Sequence, residues 1–125
     1  MWVKILMTLG GIAGCSGVAL GALSAHALKT RIEPAGLATL GTVTQYLLVH
    51  GLLLIAVAAW LRMAPDSALL RASGALLVIG MFCFCGGLTI GTLTGIRSFG
   101  VLAPFGGSAL MAGWLTLALY GLIKA

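Results

Sequence analysis

The 125 residues carry seven Lys and Arg against two Asp and Glu, a formal net charge of +5, and are 61% hydrophobic but only 7% charged, with a mean hydropathy of +1.18. A soluble domain is about one quarter charged, so the composition excludes a water-soluble globule; the length suits about four membrane spans of ~20 apolar residues each and leaves no room for an appended catalytic domain. The basic residues Lys4, Lys29, Arg31, Arg62, Arg71, Arg97 and Lys124 stand singly at segment ends. That is the membrane-flanking pattern, not the continuous basic stripe that tracks a nucleic-acid backbone, and no nucleic-acid partner is expected.

The chain opens with a short basic stretch, an apolar run and Ile12-Ala13-Gly14-Cys15, which passes a loose lipoprotein-signal pattern, and Ala25-His26-Ala27 resembles a cleavage site. The apolar run continues past Cys15 to Leu28, longer than a signal core, so it reads as an uncleaved first span over about 5–28. Within it Ala13, Gly17, Gly21 and Ala25 recur every four residues on one helical face, a ridge without bulky side chains that lets another backbone come close. Lys29, Thr30, Arg31, Glu33 and Pro34 end the span, and the connection to about Gly41 has room for a short interfacial helix.

A second span is expected over about 42–61, anchored by Trp60 and Arg62, followed by Pro65, Asp66 and Ser67 as a turn or helix cap. A third, over about 69–94, repeats the small-residue theme with Cys83, Gly87, Gly91 and Gly95. Two such ridges predict that spans one and three pack closely against each other. Span four runs over about 101–123, with Pro104 in its first turn, where a missing N–H costs least. A shift of 70 positions lays Gly10 on Gly80, Cys15 on Cys85, Gly17 on Gly87 and Gly21 on Gly91, as an internal duplication would, while spans two and four show no comparable match. The fold expected is therefore an all-α, integral membrane four-helix bundle forming one domain over 1–125.

Three cysteines, Cys15, Cys83 and Cys85, form neither a disulfide framework nor a CxxC motif and read as small buried hydrophobes. The polar residues gather toward one leaflet: Ser24, His26, Gln45, Tyr46, His50, Thr92, Thr94, Arg97 and Ser108, beside Pro104. Polar groups in a membrane are expensive and face a partner helix or a wet cavity, so this cluster is the chief functional signal. His26 should lie within about a turn of the boundary and His50 roughly 12 Å deep at 1.5 Å per residue. The two imidazoles are the only metal or haem candidates, without an obvious third ligand, and hydrogen bonding between helices is the plainer role. No cofactor is predicted.

A proton-coupled exporter of the small multidrug type has this length and span count but needs an embedded carboxylate, and Glu33 and Asp66 both fall outside the spans. The intramembrane serines lack an acidic partner for nucleophilic catalysis. Gly106-Gly107 could offer free N–H groups to an anion or lipid headgroup near Arg97, but helix capping with close packing is the plainer reading.

Read together, Gly21-Ala22-Leu23-Ser24-Ala25-His26-Ala27-Leu28, Tyr46 with His50, Leu93-Thr94-Gly95, and Pro104-Phe105-Gly106-Gly107 leading to Gly113-Trp114 resemble the YgdD-like family of small uncharacterised inner-membrane proteins, which has eukaryotic relatives. Leu47 stands where that family usually has glutamine, and Phe105 where it has isoleucine. The resemblance implies a four-span membrane fold and a shared polar cluster, and it supplies no mechanism. The function expected is non-enzymatic helix association, with itself or with a larger membrane complex among membrane lipids, with a carrier or pore for a small solute, ion or lipid as the alternative. Slightly more basic residues flank the terminal side, which points both termini to the cytoplasm of a bacterial inner membrane.

Overall fold

A run of apolar and small residues, broken only by Lys4 near its start and free of proline, forms α1 (Trp2–Ala25). In the computed structural model, which describes residues 1–124, this helix stops short of the expected Leu28. The backbone leaves it at His26 (φ −121°, ψ −81°), and the Leu28 N–H turns back to the Leu23 carbonyl at 2.8 Å. His26 is thus a cap residue outside the last helical turn.

The expected connection up to Gly41 is helix instead. α2 (Pro34–Met63) is 30 residues long, which is ~45 Å at 1.5 Å per residue. Against a hydrocarbon core of ~30 Å it must tilt or project beyond the core. Pro34 sits at its start, where no N–H is required. Thr39 and Thr42 donate their hydroxyls to the carbonyls of Ala35 and Ala38 at 3.1 and 3.3 Å, so these polar side chains are satisfied without the helix ending.

Ser67 caps α3 (Ala68–Met81), its hydroxyl accepting the Leu70 N–H at 3.3 Å. A π-helical turn (Phe82–Gly86) joins α3 to α4 (Gly87–Thr94) in a single rod. The rod stops at Gly95, whose φ of 71° is the left-handed conformation that ends helices and suits glycine. A 3₁₀ turn (Arg97–Val101) occupies most of the next connection, and α5 (Leu102–Ile123) follows with Pro104 in its first turn. Four rods are long and apolar enough to cross a membrane, and no strand occurs among the described residues. The architecture is the expected all-α, four-helix membrane bundle.

Helix pairing corrects the expectation that spans one and three meet along their ridges. α1 lies along α2, and α3 lies along α5, with α2 linking the two hairpins. A Cβ on Gly10 would stand 2.7 Å from the Gly51 carbonyl oxygen, and one on Gly51 would stand 2.9 Å from that of Gly10. Gly80 and Gly106 face each other in the same way, a Cβ on either lying 2.8 Å from the other's carbonyl oxygen. Gly17 and Gly21 also face α2, against Leu48 and Thr44, and Ala13 is buried there, whereas Ala25 is exposed. On the second ridge, Gly87 receives Phe99 and Leu102, Gly91 faces Ile96 and Phe99, Cys83 is half-buried and Gly95 is the cap. The reason is topological: each connection turns the chain back onto the helix it has just left, so a small-residue face is covered by its neighbour in sequence. α1 meets α3 where Leu6 seats against Gly74, and it makes no close backbone approach to α4.

Two ends of the bundle follow. One, the terminal end, holds both chain termini and the α2–α3 turn, and Leu6, Leu61 and Leu70 are fully buried near it. At the other, the connection end, α1 passes into α2 and α4 into α5; there α1 stands apart from α4, while α2 stays against it where Gly36 faces Thr92.

Candidate functional site

The buried histidine is His50, on α2, only 6% exposed. Because α2 begins at Pro34, His50 lies about 24 Å along its axis, not the roughly 12 Å that a start near Thr42 implied. Its imidazole bridges two elements. Nδ1 lies 2.8 Å from the carbonyl oxygen of Tyr46, one turn earlier. Nε2 lies 3.1 Å from the indole nitrogen of Trp114 on α5. Indole N–H can only donate and a carbonyl can only accept, so Nε2 carries the lone pair and Nδ1 the proton. The geometry is that of a neutral imidazole in one tautomer, with both nitrogens engaged.

Aromatic packing surrounds this bond. The Tyr46 ring stacks on Phe84 of the π turn, centroids 4.4 Å apart and planes 20° from parallel, and His50 meets Trp114 edge-on at 76°. Nearby polar links tie the same helices: the Ser73 hydroxyl of α3 donates to the Gly113 carbonyl of α5 at 2.9 Å, fully buried. Cys85 points its thiol at the Val43 carbonyl of α2 at a sulfur distance of 4.0 Å.

Of the residues read as a one-sided cluster, only Tyr46 and His50 join this site. His26 is exposed at the end of α1, and Arg97 is exposed at the start of the 3₁₀ turn. The hydroxyls of Thr94 and Ser108 return to the carbonyls of Ile90 and Pro104 within their own helices, and Pro104 is itself exposed. Ser24 Oγ and Thr44 Oγ1 are buried without a hydrogen-bond partner. Among the described residues no three His, Cys, Asp or Glu side chains come together as a metal site. With its one ring lone pair held by Trp114, His50 is neither a free ligand nor a free base in this geometry.

The cluster read from sequence omitted Trp114, Phe84 and Ser73. Trp114 had a signal: tryptophan favours the membrane interface, so one in mid-span needs a partner for its N–H. Phe84 and Ser73 had none, since their roles depend on which helix lies opposite.

Residues 20–107 match the family described as "Protein of unknown function (DUF423)". The chain is 32% identical over 117 residues to a UPF0382 membrane protein of Staphylococcus saprophyticus, covering 94% of this chain and 96% of that one. It is 31% identical over 115 residues to the UPF0382 membrane protein YwdK of Bacillus subtilis, covering 92% and 94%. A UPF0382 membrane protein of Schizosaccharomyces pombe is 31% identical over 125 residues, covering 89% and 98%. No solved structure matches.

Proposed function

The chain belongs to this family of membrane proteins of unknown function, and from that premise we propose that it is non-enzymatic and works by helix association in the plane of the bilayer. Its partners on this reading are copies of itself or a larger membrane complex. The observation that carries it is how the polar groups around His50 are engaged. His50, Trp114 and Ser73 join α2, α3 and α5 to one another, which leaves the outer faces to act. α2 covers one side of α1, while Gly11, Cys15, Val18 and Ala22 on another side are exposed, and a Cβ on Gly11 would meet nothing within 4 Å. Membrane helices use small residues of this kind to approach one another. The buried, doubly bonded His50 lends no support to a polar path through the centre.

The reading treats 1–125 as one domain and groups the chain with the YgdD-like proteins of the bacterial inner membrane. It sets both termini in the cytoplasm, since Lys4, Arg62, Arg71 and Lys124 at the terminal end outnumber Lys29, Arg31 and Arg97 at the other. The test is crosslinking in native membranes with Gly11 and Ala22 both replaced by leucine. Loss of the crosslinked oligomer or partner is expected, and undiminished crosslinking would overturn the reading.

A further inference from the structure

Beyond the contact of Leu6 with Gly74, α1 and the α3–α4 rod separate and leave a groove between them, floored by Leu47 of α2, with a volume of about 480 Å³. On α1 it extends from Leu9 to Leu23, ~21 Å of helix at 1.5 Å per residue. That volume is drawn out along the length of the helix in a groove open along one side. A methylene chain, whose carbons rest about 4 Å from their neighbours, fits along it.

The walls suit hydrocarbon: Ala19 and Leu23 on one side, Phe82 and Ile90 on the other, with Ser16 and Gly86 as small residues at mid-length. A Cβ on Gly86 would meet nothing within 4 Å. Leu23 and Ile90 lie toward the connection end of the bundle. Just beyond them stand exposed Lys29, Arg31 and Arg97, with Glu33 the one acidic residue there. An apolar groove opening toward a surface with a cationic excess is complementary to an anionic amphiphile.

We propose that the groove binds one acyl chain of an anionic phospholipid, with its phosphate at the Lys29, Arg31 and Arg97 surface. The site is separate from the outer face of α1 invoked for association, so either can fail without the other.

Native mass spectrometry of the full chain, released from nanodiscs of phosphatidylglycerol and phosphatidylethanolamine in equal parts, tests this. One phospholipid retained per chain is expected, with phosphatidylglycerol enriched. Ala19→Phe, which fills the groove, should lower retention by about tenfold, and Ser16→Leu, a smaller filling at mid-length, should lower it too. Val18→Phe, on the outer face, should leave it unchanged. Replacing Lys29, Arg31 and Arg97 together by glutamine should keep the lipid and abolish the preference. Equal retention by the wild type and both filled variants, or a lipid-free dimer that these variants dissociate, would overturn the proposal.

Discussion

Trp114 donates its indole N–H to Nε2 of His50 across 3.1 Å, and this bond ties α2 to α5 near the middle of both helices. In hydrocarbon neither group has water as a fallback partner. Trp114→Phe keeps an aromatic ring but leaves the imidazole lone pair unsatisfied, which should cost about 1–2 kcal/mol. Combined with His50→Leu in a double-mutant cycle, the coupling should be near 0.6 kcal/mol, as for other hydrogen bonds between membrane helices. Reversible unfolding in mixed detergent and SDS micelles measures both. Additive effects would show that the bond contributes nothing to the bundle.

The reciprocal glycine pairs make a prediction in which the sign of the effect depends on position. A Cβ at Gly51 would press on the Gly10 carbonyl oxygen, and one at Gly106 would collide with the backbone of Phe84 as well as with the Gly80 carbonyl. Gly51→Ala and Gly106→Ala should each destabilise by about 1–3 kcal/mol, since backbone cannot yield as a side-chain tip does. At Gly11 and Gly41 an added Cβ meets nothing within 4 Å, so alanine there should stabilise by up to about 1 kcal/mol through helix propensity. Thermal denaturation of the four variants in one detergent separates the two classes. A uniform response would mean that close approach is not what these glycines provide.

How far the sequence revealed this arrangement depends on whether a property is local. The four spans are legible because apolar length is counted along the chain, and Gly95 and Ser67 announce a helix stop and a helix start by residue type. The start of α2 was misplaced because Lys29 to Pro34 resembles an ending, while nothing in the stretch to Gly41 shows that helix resumes at once. The glycine ridges are visible as periodicity, but the partner of each is a matter of topology. Gly10 and Gly80, which the 70-residue shift superposes, do the same work within separate hairpins and never face each other. Likewise the polar cluster mixed residues that share a depth with residues that share a contact. Only the opposing helix decides that His50 meets Trp114 and that His26 meets neither.

Two buried hydroxyls should prove dispensable. Thr44 Oγ1 and Ser24 Oγ, on α2 and α1, have no hydrogen-bond partner, and a buried hydroxyl in that state costs about 1–3 kcal/mol. Thr44→Val preserves shape and removes the hydroxyl, and Ser24→Ala removes it with little change in volume. Each should raise the midpoint of thermal unfolding. A lowered midpoint would mean that these oxygens hold a water or a partner in the membrane.

The separation of the two histidines gives the most direct check on the bundle itself. With Gly10 beside Gly51 and Gly21 beside Thr44, the antiparallel register of α1 and α2 sets His26 level with residues near 39, ~16 Å along the axis from His50. His26 is exposed and His50 is buried. In a variant without native cysteines, a membrane-impermeant maleimide should label His26→Cys and Arg97→Cys from one side of the membrane. Asp66→Cys should react from the opposite side, and His50→Cys only after unfolding. Labelling of His26→Cys and Asp66→Cys from the same side would require an even number of crossings between them, and the antiparallel pairing of α1 with α2, on which the Trp114 bond and the groove both depend, would be lost.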